Sequence, residues 1–254
     1  SAYFYDLNTK LSYNINDKNS VYLSGYFGRD VFSLNNSFVN TYGNSVLNIR
    51  WNHLFSDKLF SNATLIYSDY YYGLQLDFIG FNWDSGIKNY NFKYDFKHYL
   101  SNNTKLTYGV NSIYYDFNPG KIEPTGLNSG INSKQLDKKY AFEPSIYIDA
   151  EQKISDKLSV NYGLRYSMFY RLGAQEVNIY ANNEPVSFNS SMQIYEKAEP
   201  INSVNFKQNE IISSFDNFEP RMAISYSLNE SSSIKASYNR MAQYLHLISN
   251  TQSP

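Results

Sequence analysis

The histidines come first, because a histidine between a hydroxyl or thiol and a carboxylate can support nucleophilic catalysis. The chain carries three, His53, His98 and His246, and no cysteine. The sequence contains no Gly-x-Ser-x-Gly elbow, and nothing in the spacing puts a nucleophile and a carboxylate beside any histidine. Paired His or Cys ligands for a metal are missing for the same reason. The sequence therefore predicts a protein that is not an enzyme, with no metal site and no cofactor.

A second group of residues able to do chemistry is a set of charges, each placed between two apolar or aromatic neighbours. The set comprises Lys93, Asp95, Glu143, Arg165, Glu219 and Arg221. The formal net charge of the chain is −1, and the sequence has no basic stripe, so no nucleic-acid partner is predicted. What these charges can do depends on the elements that carry them.

The elements are strands, because the side-chain pattern repeats every two residues. From Tyr90 to Lys97 aromatic residues occupy every even position and polar or charged residues every odd one. Successive side chains of a strand point to opposite faces, so one face is aromatic and the other polar. Weaker or equal versions of the pattern recur, and they predict about ten strands of roughly 10–14 residues, long enough for a tilted membrane span.

The connections between these strands alternate between short and long. Short turns of Asn, Asp and Ser are predicted at 16–19, 56–58, 101–104, 155–157 and 229–232. Long extracellular loops are predicted near 29–43, 72–85, 118–139 and 173–214. This alternation is typical of an outer-membrane barrel, whereas a soluble, exported β-sheet protein has no reason to put its long loops at one end. Residues 1–254 are predicted to form one partial, all-β, transmembrane antiparallel β-barrel domain in contact with outer-membrane lipid.

Aromatic residues support the membrane interpretation. The chain has 26 Tyr and 17 Phe, although its mean hydropathy is −0.51. Amphipathic rings of this kind gather at membrane interfaces. Two interfacial girdles are predicted, one near the long loops (Tyr70, Tyr71, Tyr72, Tyr114, Tyr115, Phe169, Tyr170) and one near the short turns (Tyr13, Phe55, Tyr99, Tyr226).

The last fifth of the chain carries a resemblance. Phe218-Glu219-Pro220-Arg221 opens one predicted strand, Ser233-Ile234-Lys235-Ala236-Ser237-Tyr238 forms the next, and Arg240-Met241-Ala242-Gln243-Tyr244-Leu245-His246-Leu247 follows. This succession resembles the mid-barrel segment of TonB-dependent outer-membrane receptors, particularly those of the Bacteroidetes type. Leu158-Ser159-Val160-Asn161-Tyr162-Gly163-Leu164-Arg165-Tyr166 also resembles a strand found upstream of it in that family. The resemblance covers about a quarter of the chain.

The resemblance implies a barrel of about 22 strands with an N-terminal plug inside it and a TonB box that is reached by the energy-transducing complex. No plug domain or TonB box can be assigned in this sequence, so we expect a fragment of a larger barrel. The implied partners are the remainder of the barrel and the plug, the TonB complex and a surface lipoprotein. The six charges above are expected to face the lumen or the plug.

The implied function is energy-dependent uptake of a scarce solute across the bacterial outer membrane. The alternative is a non-transporting barrel that serves as a scaffold or docking platform for surface partners. Ligand contacts are expected in the longest loop, at Tyr180, Tyr195 and Phe206, because loops on a rigid scaffold commonly carry binding. Siderophore, vitamin, glycan and peptide all remain open as the solute.

Overall fold

The chain folds almost entirely into strands. The computed structural model describes residues 1–35, 37–126 and 129–245. Ten long strands are β1 (Ala2–Asn16), β2 (Asn19–Leu34), β3 (Phe38–Ser56), β4 (Leu59–Leu76), β5 (Phe81–Ser101), β6 (Thr104–Pro124), β8 (Lys139–Lys153), β9 (Leu158–Leu172), β14 (Ile211–Asn229) and β15 (Ser232–Asn239). Shorter elements are β7 (Lys134–Gln135), β10 (Gln175–Ile179), a 3-10 helix (Ala181–Asn183), β11 (Val186–Asn189), β12 (Ile194–Lys197) and β13 (Asn202–Phe206). No helix among the described residues is long and apolar enough to cross a bilayer.

The ten long strands form one antiparallel sheet in chain order, β1-β2-β3-β4-β5-β6-β8-β9-β14-β15, with β7 paired to β6. Each strand therefore lies beside its sequence neighbours, as in an up-and-down barrel wall. In the described part of the chain, β1 pairs only with β2 and β15 pairs only with β14. The sequence predicted about ten membrane-spanning strands, and the structure confirms this with ten long strands.

The short turns share one hydrogen-bonding device. In each of the five, the side-chain oxygen of the first turn residue accepts a hydrogen bond from the backbone N–H two residues later, at 3.0–3.4 Å. Asn and Ser side chains favour this geometry because they replace a backbone acceptor locally. The accepting residues are Asn16, Ser56, Ser101, Ser155 and Asn229.

The two faces of the sheet differ in exposure, which gives the direction of curvature. Ile146 and Ile148 are 57% and 51% exposed, whereas Tyr147 between them is 7% exposed. In a single curved sheet the side chains of the convex face splay apart and those of the concave face crowd together. The apolar face is therefore convex and the polar face is the inner one. A membrane barrel needs this arrangement, with apolar side chains toward lipid.

Aromatic rings form the two predicted girdles on the outer face, but with different members. Toward the long connections, Tyr67, Tyr90, Tyr114 and Tyr140 lie side by side with ring centroids 5.3–6.4 Å apart. Toward the short turns, Phe55, Phe96 and Tyr108 form a stacked series. Four residues predicted for the first girdle face inward instead, because adjacent strand residues alternate between faces. These are Tyr70, Tyr72, Tyr115 and Phe169.

Two predicted long loops are mostly strand. Pairing between β2 and β3 continues to Leu34 and Phe38, and pairing between β4 and β5 continues to Leu76 and Phe81. The loop predictions at 29–43 and 72–85 were therefore too long, and the predicted strand lengths too short. The alternation of apolar and polar residues fades there although the backbone pairing persists. The connections between β6 and β8 and between β9 and β14 are long, as predicted, and the second contains two nested hairpins, β10–β13 and β11–β12.

Candidate functional site on the inner face

The inner face of β5 to β14 carries a cluster centred on Tyr147. Its hydroxyl donates a hydrogen bond to the Asp95 carboxylate, which also forms an ion pair with Lys93 at 3.1 Å. The Lys93 ammonium and the Arg165 guanidinium lie 5.8 and 5.9 Å from the Tyr147 ring centroid. Cations at this range are attracted by the face of an aromatic ring. A buried ring therefore joins two cations and a carboxylate.

A glycine makes the Tyr147–Asp95 hydrogen bond possible. The row runs straight across five strands through Asp95, Gly109, Tyr147, Arg165 and Glu219. Gly109 lies between the two bonded residues, and a Cβ there would come within 2.9 Å of the Tyr147 hydroxyl oxygen and would clash with the Tyr94 backbone oxygen. The absent side chain lets groups two strands apart meet above β6.

The same device appears in the next row. Arg221 on β14 binds Asp149 on β8 through two guanidinium nitrogens, across Gly163 on β9. A Cβ on Gly163 would lie 2.7 Å from the Asp149 Cγ and 2.8 Å from the Ile148 backbone oxygen. Paired guanidinium–carboxylate hydrogen bonds fix orientation as well as distance. Both glycines follow a tyrosine, at 108–109 and 162–163.

Two glutamates complete the cluster. Glu219, 8% exposed, accepts a hydrogen bond from the Ser167 hydroxyl and lies 4.0 Å from the Arg165 guanidinium, at the limit for an ion pair. Glu143 accepts a hydrogen bond from the Tyr115 hydroxyl at 3.1 Å. Each carboxyl group is thus held in place by a hydroxyl donor on the wall.

The comparisons with known proteins agree with this geometry. A family model described as an outer membrane beta barrel domain matches residues 72–253. The chain belongs to this family. An outer membrane β-barrel domain lies in the bacterial outer membrane, so the convex face contacts lipid and the charged face lines the interior. No curated protein sequence matches the chain.

Solved structures show the same fold. The FrpB iron transporter from Neisseria meningitidis matches with a TM-score of 0.61 at 13% identity, covering 93% of this chain and 36% of that one. The alcaligin outer membrane receptor FauA from Bordetella pertussis gives 0.63 at 12%, covering 94% and 35%. The copper transporter OprC gives 0.65 at 10%, covering 96% and 38%. This outer membrane β-barrel domain thus spans little more than a third of each of these proteins.

The six charges predicted to face the lumen all lie on the inner face of the domain. Four of them surround Tyr147 or flank it in the same row: Lys93, Asp95, Arg165 and Glu219. Arg221 lies in the neighbouring row, bonded to Asp149, and Glu143 lies two rows away on the other side, bonded to Tyr115. Contact with a plug stays a prediction for all six.

The three predicted ligand contacts lie on separate parts of the connection between β9 and β14. Tyr180 precedes the 3-10 helix, and Phe206 ends β13. Tyr195 on β12 is 74% exposed, with its ring 5.1 Å from that of Phe188. Their role in ligand binding stays a prediction.

The histidines are placed as interfacial residues where the structure describes them. The Nδ1 atom of His53 lies 2.7 Å from the Asn19 side-chain oxygen, and its ring packs edge-on against Phe55 in the turn-side girdle. His98 pairs with Leu59 and Leu106 near the next turn. His246 lies outside the described residues.

Sequence patterns did not single out Gly109, Gly163, Ser167 or Tyr244 as parts of the site. The usable signal was a Tyr-Gly pair in the middle of each of two predicted strands. A glycine inside a strand often marks a close approach of neighbouring groups. Which groups approach depends on the register between strands, and the register follows from pairing rather than from one strand's sequence.

Proposed function

We propose that this domain is part of the wall of an outer-membrane transporter that takes up a scarce solute with energy supplied through TonB. The proposal includes the finer features that the sequence resemblance implies, a Bacteroidetes-type receptor with about 22 strands and a plug. The observation that carries it is the charged, hydrogen-bonded cluster around Tyr147 on the inner face. A barrel that only filled its interior with packed side chains would have no use for such a surface.

The likeness to transporters supports the proposal. FrpB is an iron transporter, FauA an alcaligin receptor and OprC a copper transporter. The domain covers only 35–38% of their chains, and β1 and β15 are each paired on one side in the described residues. We infer that further strands complete the barrel, because an unpaired strand edge in lipid costs several kcal/mol per exposed backbone group.

The plug is proposed to meet the inner face at its carboxylates. Glu219 and Glu143 are carboxyl side chains on the inner face, and each accepts a hydrogen bond from a hydroxyl of the wall. A plug that presents arginine or lysine there would gain charge-assisted hydrogen bonds. Arg221 is bound to Asp149 on the wall, so it is proposed as a support for the row more than as a direct contact.

A gene-deletion strain gives the test. The full-length gene is returned as wild type, as Glu219→Ala and as Glu230→Ala, a matched control in an exposed turn. Accumulation of radiolabelled iron as ferric siderophores, of haem and of copper is measured with and without a protonophore. We expect energy-dependent accumulation of one of these with wild type and the control, and a reduced level with Glu219→Ala. Uptake that the protonophore does not affect would contradict the proposal.

A scaffold role is the second candidate, and one observation favours it. The hairpin β11–β12 carries exposed apolar side chains, including Phe188 at 51% and Met192 at 66%. Exposed apolar patches often mark contacts with other proteins. A surface lipoprotein that co-purifies with wild type but not with Phe188→Ser, together with unchanged solute accumulation in the deletion strain, would favour this role.

We propose no catalytic step for the domain. His53 is engaged with Asn19 and Phe55 in the girdle, and among the described residues no group of three or more His, Cys, Asp or Glu could hold a metal. Hydrolysis of a lipid or peptide substrate by the purified full-length protein, lost in His98→Ala, would contradict this.

A further inference from the structure

The segment after β15 leaves the wall and crosses the inner face. Arg240 still donates its backbone N–H to the Pro220 backbone oxygen at 3.0 Å, continuing the pairing with β14. Residues 241–245 form no strand. Tyr244 instead reaches β9, which lies two strands away from β15 in the sheet. A segment that contacts the second neighbour of its own strand must pass over the strand between them, on the inner side.

Tyr244 is held by four contacts. Its hydroxyl donates to the Ser167 backbone oxygen at 3.1 Å, lies 2.9 Å from the Ser167 hydroxyl oxygen and accepts from the Asn217 side-chain amide at 3.1 Å. Its ring stacks on Phe169, with centroids 5.3 Å apart and an angle of 14° between the planes. Stacked rings contribute about 0.5–1.5 kcal/mol beyond the area they bury. Both the ring and the hydroxyl of Tyr244 are thus used.

The receiving surface is shaped for this ring. Ser167 is 1% exposed and Phe169 7% exposed, and both are on the inner face of β9. A small residue at 167 leaves room above the strand, and the aromatic residue two positions on supplies the apolar floor. Buried polar groups in proteins are nearly always hydrogen-bonded. Tyr244 is one such partner of the Ser167 backbone oxygen.

The same serine connects the segment to the carboxylate cluster. The Ser167 hydroxyl has one hydrogen, and it is donated to Glu219. Because that hydrogen is used, the single hydrogen of the Tyr244 hydroxyl is shared between the Ser167 hydroxyl oxygen and the Ser167 backbone oxygen, 2.9 and 3.1 Å away. Tyr244, Ser167 and Glu219 therefore form one directed series of hydrogen bonds that ends on the carboxylate. Removing the Tyr244 hydroxyl frees the serine to rotate away from Glu219.

We propose that residues 240–245 form an internal strap, that the inner surface of β9 and β14 at Ser167, Phe169 and Asn217 is its docking site, and that Tyr244 is a positioning residue for Glu219. The strap is a segment of this chain, and its own contacts identify it as the occupant. The positioning step rests on the proposed function of Glu219 in binding the plug. The docking step does not.

The docking step is tested by distance measurements on full-length protein in lipid nanodiscs. Spin labels at Gln243→Cys and Asn103→Cys, both exposed, report the strap against a turn of the wall, and the 254 residues contain no competing cysteine. We expect one narrow distance distribution in wild type and a broad one in Tyr244→Ala. Tyr238→Ala is the matched control, since Tyr238 lies in β15 and is 61% exposed. Equal distributions in wild type and Tyr244→Ala would overturn the docking site.

The positioning step is tested by uptake with the solute that the deletion-strain assay identifies. Tyr244→Phe keeps the stacked ring and Ser167→Ala keeps the backbone acceptor, so the strap should stay docked in both, with the narrow distance distribution unchanged. We expect each variant to lower the uptake rate by roughly two- to tenfold, and the double variant to be no worse than either one, since residues in one network are not additive. Multiplied effects in the double variant, or unchanged uptake in Ser167→Ala, would overturn the positioning role.

Failure of the proposed transport function can be told apart from failure of the strap proposal. If the full-length protein accumulates no solute, the distance distributions still report whether the strap is docked. If uptake is normal in all variants while Tyr244→Ala broadens the distribution, the strap exists and the positioning of Glu219 is wrong.

Discussion

One row of the inner face crosses two contrasting halves of the wall. On β2 to β4 it consists of Ser20, Asn52 and Asn62, and from β5 onward it consists of Asp95, Gly109, Tyr147, Arg165 and Glu219. In the second half the side chains bond to one another across glycine. In the first half the side-chain oxygen of Asn52 is buried and accepts no hydrogen bond from any described residue.

This difference in hydrogen bonding indicates two roles for the inner face of a barrel. Within this row, the charged side chains from β5 onward bond to one another in the wall, and so they fix the spacing of strands two apart. In this row the amide half leaves an acceptor open, and two rows away Asn48 on β3 and Asn91 on β5 do the same. A buried acceptor without a partner costs about 1–3 kcal/mol, so the amide half gains most from donors on another segment. Rows whose side chains hydrogen-bond to one another shape the wall, whereas rows with unpartnered acceptors are suited to binding another segment.

The largest expected effect comes from closing the glycine gaps. Gly163→Ala and Gly109→Ala should each destabilise full-length protein by about 1–3 kcal/mol, because the new methyl group overlaps the bonded side chains and a backbone oxygen. Gly25→Ala on β2 is the control, since its Cβ would come no closer than 3.9 Å to the Val46 backbone oxygen. The urea midpoint of the purified protein measures this. Equal urea midpoints for the three variants would contradict the claim that Gly109 and Gly163 are needed for the contacts across them.

The next effect is the loss of the central hydroxyl. Tyr147→Phe should cost about 1.5 kcal/mol, the lower end for a hydrogen bond to a charged group, because Lys93 still pairs with Asp95. Tyr26→Phe, on the inner face of the amide half, should leave the urea midpoint unchanged. A larger loss in Tyr26→Phe than in Tyr147→Phe would reverse the comparison.

A smaller effect is expected in the amide half. Asn52→Ala should change the free energy of unfolding by less than about 1 kcal/mol in either direction, because it removes an acceptor that has no partner among the described residues. The same urea titration checks this. If Asn52→Ala lowers the free energy of unfolding as much as Tyr147→Phe does, the polar groups of the amide half are hydrogen-bonded as fully as those of the charged half.

The smallest difference between the two halves is expected in the short turns. Asn16→Ala and Asn229→Ala each remove one side-chain cap of an exposed turn and should cost about 0.5–1 kcal/mol. Equal losses would confine the contrast between the halves to the inner face. Unequal losses would extend it to the turns.

Much of this wall could be predicted from the sequence, because a strand with one lipid face and one wet face must alternate. The segment from Tyr90 to Lys97 fixed both the element and the direction of each side chain. The ends of strands could not be predicted, because pairing beyond the membrane needs no alternation. The site was predicted as a set of inward charges, whereas its connections depend on register between strands, which placed Gly109 between Asp95 and Tyr147. They also depend on the course of the segment after β15, which brings Tyr244 to Ser167.

The central claim is that the apolar face meets lipid and the charged face meets an aqueous interior. Single cysteines at Phe92 and Lys93, adjacent residues of β5 on opposite faces, test it in full-length protein within intact outer membranes. A fluorescent label at Phe92→Cys should be quenched from the lipid phase and protected from a charged aqueous quencher, and the label at Lys93→Cys should show the opposite. Aqueous quenching of the Phe92→Cys label with lipid quenching of the Lys93→Cys label would contradict the claim.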